Sequence, residues 1–113
     1  MVRRDPAPRL GRLPLAAVLN YEVPVAIGAR ARLLGLAHLD RETAGPGLLI
    51  PRCSSVHTFC MRFALDLVFL DGGGAIVSVH RRIPARRVVF HRGARSVLEI
   101  PSGQGGEFSP SRP

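Results

Sequence analysis

A chain of 113 residues has room for one domain, and a hydrophobic content of 46% excludes an intrinsically disordered polypeptide. Its net charge of +8 is carried by arginine without any lysine, which favours anionic partners and specifies none. No apolar run approaches the ~20 residues that span a bilayer.

From the N-terminus, residues 1–18 read as a tail, since residues 1–12 are rich in Pro and Arg. The short run from Leu13 to Leu19 is broken by Pro14 and does not resemble a secretory leader. Cytoplasmic residence is the expectation, and there Cys53 and Cys60 stay thiols. The single β domain is expected over residues 19–103, followed by a disordered tail over 104–113.

The first strand is expected over residues 20–27, where Tyr21, Val23, Val25 and Ile27 alternate with Asn20, Glu22, Pro24 and Ala26. Pro24 cannot donate to a ladder, so an edge or a bulge is implied. After Gly28 the period changes, and Ala29, Leu33, Leu36 and Ala37 predict one short helix near residues 28–37. Gly45-Pro46-Gly47 is turn chemistry that opens a series of short strands. These fall at 48–50, 55–61, 64–70, 75–80, 88–91 and 96–100, with Asp71-Gly72-Gly73-Gly74 as a hairpin loop. The connections are too short for crossover helices. A mainly β, antiparallel sandwich or barrel-like domain follows.

The residues with chemistry concentrate between Cys53 and Asp66. Cys53, His57 and Cys60 carry zinc-donor atoms, with His80, His91 or Asp66 as a fourth ligand. Geometry opposes that reading, because an extended segment separates Cys53 from His57 by ~13 Å and turns Cys60 to the other face. No cofactor is therefore predicted, and no metal. A second reading makes Cys53 a nucleophile, His57 its base and Asp66 the residue that orients the imidazole. The alternative is structural: the cysteines fill the core and His57 bonds to backbone. Asp66 and Glu99 each interrupt a strand that reads as buried on both faces, so each needs donors or a ligand. Arg62 and nearby amides are the donors expected for Asp66.

A third feature is basic. Residues 80–95 contain six arginines and no acid, and Arg81, Arg82, Arg86 and Arg87 form a candidate anion-binding face. Phe90 is the only aromatic side chain there available for stacking on bases, so a solvated face is the competing reading and nucleic acid is not the favoured partner.

The stretch from Gly47 through Pro51-Arg52-Cys53-Ser54-Ser55-Val56-His57-Thr58-Phe59, continuing over Met61-Arg62-Phe63, Leu65-Asp66 and Phe69-Leu70-Asp71, resembles the signature of the domain of unknown function DUF192. Arg32-Leu33-Leu34-Gly35-Leu36 is similar to that family's Arg-x-x-Gly-Leu helix, and Leu98-Glu99-Ile100-Pro101-Ser102-Gly103 to its later strand. The resemblance covers residues 20–103 and implies a compact β domain with no established activity. His57 is shared with a shorter subgroup of the family. Cys60 stands where Gly is usual and Ala64 where Pro is usual. Residues 104–113 lack the family's final strand, which implies an unpaired edge.

The resemblance implies that a common pocket involves Cys53, Ser55, His57, Met61 and Asp66, to which Glu99 is added as a buried acid. The first functional expectation is a module that binds a small molecule or a protein there. The alternatives are a small hydrolase using Cys53 and His57 or a bound metal, and an accessory binder of anionic partners through residues 80–95.

Overall fold

The residues from 65 to 70 are apolar at five of six positions, and the strand they form is buried at all six. A computed structural model describes residues 8–103 of the chain. Its elements are α1 (Pro8–Gly11), β1 (Leu15–Val18), β2 (Tyr21–Pro24), α2 (Ala29–Leu34), β3 (Leu48–Pro51), β4 (Ser55–His57), β5 (Leu65–Leu70), β6 (Ile76–Ile83), β7 (Val88–Phe90) and β8 (Ser96–Pro101). The fold is mainly β, with two short helices and antiparallel sheets.

β5 and β8 lie at the centre of a four-stranded sheet ordered β3-β8-β5-β6. Because side chains alternate across a strand, Leu65, Leu67 and Phe69 fall on one face and Val68 and Leu70 on the other. Each face has its own core. The first joins Leu65, Leu67, Phe69, Val97, Leu48 and Ile50 to Leu36, Ala37, Val56 and Met61. The second joins Val68, Leu70, Leu98, Ile100 and Ile76 to Val23 of the β1-β2 hairpin. Layers on both sides explain why β5 and β8 read as continuous apolar runs. The β4-β7 pair and the α2 region cover the first face.

Several expectations shift at their edges. Residues 8–18, read as tail, contain α1 and β1, and Leu10 is buried. The reason is the turn: Leu19 and Asn20 both have positive φ, joining Val18 to Tyr21 in a two-residue hairpin without the usual Gly. In β2, Val23 is buried as the alternation predicts, whereas beyond the strand's end at Pro24 Ile27 is exposed and Ala26 is buried. Ala26 donates to the Leu49 carbonyl at 2.8 Å, which turns the chain end inward there. The residues 1–7 and 104–113, expected as disordered ends with a missing last strand, lie outside the described residues.

Candidate functional site

The site begins at the end of α2. A helix leaves its last carbonyls without intrahelical donors, and here three of the carbonyls around that end are met by side chains from elsewhere. Arg9 donates from Nη2 to the carbonyls of Gly35 and Ala37 at 3.0 and 2.6 Å. Burial and the neighbouring Arg30 charge pull the Arg9 guanidinium below its ordinary value, with Glu99 opposing. His57 Nε2 lies 3.0 Å from the Leu33 carbonyl oxygen. A carbonyl only accepts, so the proton sits on Nε2 and a neutral His57 carries its lone pair on Nδ1.

β4 supplies His57 by simple alternation. Val56 points into the core, so Ser55 and His57 point to the other face, where the register sets them opposite Phe90 and Val88 of β7. Ser55, His57 and Val88 then share a cleft of about 330 Å³ with Arg32 and Leu33 of α2, Ile50 of β3 and Glu99 of β8. That volume lies at the small end of ligand pockets. Leu33 and Val88 flank it with 67% and 65% of their surfaces exposed.

The polar atoms in this cleft are poorly served by the protein. Arg32 is anchored by Nη2, which donates to the Arg52 carbonyl at 2.7 Å. Its Nε and the Nδ1 of His57 are buried yet have no hydrogen-bond partner among the described residues. Glu99 is 2% exposed, and its Oε1 accepts the Leu36 N–H at 3.2 Å. Burial pushes its carboxyl up to about 7, against the opposing pull of the Leu36 amide and Arg9.

Of the six residues singled out in the sequence, the structure brings together Ser55, His57 and Glu99. Cys53 is nearby in sequence but commits its thiol to the Ser55 carbonyl at 2.9 Å and packs on the first core. It is not hydrogen-bonded to His57, whose Nε2 is taken by Leu33. Met61 is part of the core. Asp66 sits on the opposite face of the sheet: it has the parity of Val68 and Leu70, whereas Glu99 has the parity of Val97. Asp66 accordingly does not orient His57. Its carboxylate accepts the Arg82 N–H at 2.9 Å, Ser102 Oγ at 3.0 Å and Arg81 Nη1 at 3.3 Å. The register shift between Leu65 and Leu67 places two β6 residues, Arg81 and Arg82, opposite this one carboxylate. Arg62, expected as its partner, pairs with Asp40 instead.

No group of three or more His, Cys, Asp or Glu among the described residues is placed to hold a metal ion. Arg82, Arg86 and Arg87 are exposed, while Arg81 is drawn to Asp66. No helix among the described residues is long and apolar enough to cross a membrane.

Sequence reading missed Arg32, although it is the Arg of the Arg-x-x-Gly-Leu helix pattern. The Gly of that pattern is explained by the same site: a Cβ on Gly35 would lie 2.6 Å from Glu99 Oε1. Thr58 was also missed. It is fully buried, donates to the Pro84 carbonyl at 2.6 Å and accepts the Arg87 N–H at 2.8 Å, which fixes the β6-β7 connection behind β4.

The family model of DUF192, described as "Uncharacterized ACR", matches residues 15–109. The chain belongs to the DUF192 family. No activity is established for DUF192 by this match. None of the curated proteins matches at a significant level. Two solved structures are similar in fold. A protein of unknown function from Novosphingobium aromaticivorans DSM 12444 superposes with a TM-score of 0.58 at 18% identity, over 71% of this chain and 62% of that one. A protein from Sinorhizobium meliloti 1021, described as a candidate transcription regulator, gives a TM-score of 0.65 at 21% identity, over 74% and 70%. The chain thus spans less than two thirds of the Novosphingobium protein's length. At these identities the likeness concerns the fold alone.

Proposed function

We propose that this DUF192 domain is a binding module whose ligand occupies the cleft between α2, β4 and β8. The observation that carries the reading is the pair of buried, unpartnered atoms, Arg32 Nε and His57 Nδ1, in residues that line one cleft with a buried acid. Native proteins satisfy nearly all buried polar atoms, so two exceptions in one place need a reason. A ligand that bonds to both supplies it. Cytoplasmic residence fits two unbridged thiols. A hydrolase built on Cys53 and His57 is disfavoured, because each is hydrogen-bonded to a different carbonyl.

Thermal-shift screening of the full chain tests the reading. The panel is small acids, amides, sugars and nucleotides at millimolar concentration. A compound that binds only the folded state raises apparent stability by ~2.7 kcal/mol at a hundred times its dissociation constant. The expected result is at least one compound whose shift disappears in both Arg32→Gln and His57→Ala. Shifts that persist in both variants, or no shift with any class, would sink the proposal.

A further inference from the structure

We infer that the ligand of this cleft is a small organic carboxylate with an apolar tail, a step that rests on the binding reading above. The argument starts from charge. Arg32 makes no ion pair among the described residues, where the two salt bridges are Arg62–Asp40 and Arg81–Asp66. Its guanidinium is anchored by one nitrogen to a neutral carbonyl and turns an unused N–H inward. Arg9 and Arg30 add positive charge around the same helix, and Glu99 is the one acid lining the cleft. A site with this balance attracts an anion.

The remaining polar groups match one carboxylate. Arg32 Nε–H donates to one oxygen, the strong charge-assisted form of hydrogen bond. Ser55, which lines the same cleft, offers a hydroxyl. His57 meets the second oxygen at Nδ1, with a hydrogen shared between the two, since its Nε2 is already spent on Leu33. Burial pushes the Glu99 carboxyl up to about 7, which weakens the repelling charge it presents near neutral pH. The charged residues that line the cleft with His57 are Arg32 from α2 and Glu99 from β8, while β7 contributes the apolar Val88. Burial holds the Glu99 carboxyl up to about 7, and its repulsion of a bound carboxylate falls as it takes up a proton, so binding tightens on acidification.

The walls set the rest of the molecule. Ile50, Val56, Leu33 and Val88 are apolar, and a space of about 330 Å³ equals roughly eleven liquid water volumes. Leu33 and Val88 are exposed at the edge of the cleft, whereas Arg32 Nε and His57 Nδ1 are buried. Inorganic phosphate fills neither the apolar walls nor the volume.

Isothermal titration with phenylacetate, phenylacetamide and inorganic phosphate at pH 6 and pH 8 separates the cases. Phenylacetate is expected to bind at least tenfold tighter than the other two, several-fold tighter at pH 6 than at pH 8, and at least tenfold more weakly to Arg32→Gln. In the unmodified protein its addition moves the Arg32 Nε–H resonance, a readout that does not depend on a variant folding. Phenylacetamide has an acceptor for Arg32 and a donor for neutral His57. If it binds as tightly as the acid, the carboxylate class is wrong while the cleft remains a binding site. Phosphate binding equal to phenylacetate, dependent on Arg32, likewise overturns the organic acid. Phenylacetate binding that ignores Arg32→Gln and leaves the Nε–H resonance in place removes both this inference and the binding reading beneath it.

Discussion

The Leu36 N–H donates to Glu99 Oε1 at 3.2 Å, so the chain just past a six-residue helix is held by a carboxyl from the centre of the main sheet. That bond joins the wall of the cleft to the core on which it rests. It also explains a close approach, since the Gly35 Cα lies where any side chain would meet the same carboxyl oxygens.

Glu99 makes stability depend on pH in an unusual direction for a carboxylate. Its folded value is raised from 4.5 to about 7, so the folded state holds a proton that the unfolded chain has released. Its contribution is fully present below pH 4.5, fades as pH rises through that window, and levels off above about 7. At 1.36 kcal/mol per pH unit the loss is of order 3 kcal/mol. Glu99→Gln keeps an oxygen for Leu36 and removes the charge. Urea unfolding at pH 5 and pH 8 is expected to show the variant more stable than the parent at pH 8, with the difference shrinking or reversing at pH 5. Parallel pH profiles would count against a proton on Glu99.

Gly35→Ala tests the same contact from the other side. Gly35 has φ +52 and ψ −127, a conformation that residues with a Cβ rarely adopt, and the added methyl would sit 2.6 Å from Glu99 Oε1. Strain of this kind costs about 1–3 kcal/mol before the clash is counted. Gly11 has open space and an ordinary φ, so Gly11→Ala is expected to stay within ~0.5 kcal/mol. Thermal unfolding of the two variants side by side makes the comparison. Equal effects would mean that the α2 terminus tolerates relaxation.

Asp66 is predicted to be structural, in contrast to Glu99. It accepts bonds from β6 and from Ser102 after β8, and the sheet separates it from the cleft. Removing the carboxylate leaves the Arg82 N–H and the Ser102 hydroxyl without their acceptor, at a cost of about 1–3 kcal/mol, while Arg81 is 41% exposed and reaches water. Asp66→Ala should therefore lose stability on that scale, whereas Asp66→Asn retains an acceptor and loses less. Ligand affinity measured on the folded Asp66→Asn protein should match the parent. A tenfold change would place Asp66 in communication with the cleft.

The sequence made most of the sheet legible because its strands obey simple rules. The run from Leu65 to Leu70 and the Asp71-Gly74 turn announce a buried hairpin, and Asp71 Oδ1 does accept the Gly73 and Ala75 amides that close it. β1 escaped because its turn, Leu19-Asn20, lacks the Gly that marks a two-residue hairpin. The site was half legible. A local cluster of His, Ser and Cys marks β4, but which face a carboxylate takes is settled by strand register, and that separated Asp66 from Glu99. Arg32 is 25 residues from His57, and nothing in either segment alone states that they meet.

Cys60 offers a prediction that joins family and backbone. It is exposed and has φ +64, and its carbonyl accepts the His38 N–H at 2.9 Å, which holds that conformation in place. A residue with a Cβ pays roughly 1–2 kcal/mol for the left-handed region. A Gly, which the family resemblance implies at this position, avoids that cost, although Gly also loses more entropy on folding. Cys60→Gly is therefore expected to stabilise the protein by about 0.5–1 kcal/mol in urea unfolding. Cys60→Ala removes the same thiol and keeps the strain, so it should give no such gain. If both variants gain equally, the thiol and not the backbone is at fault.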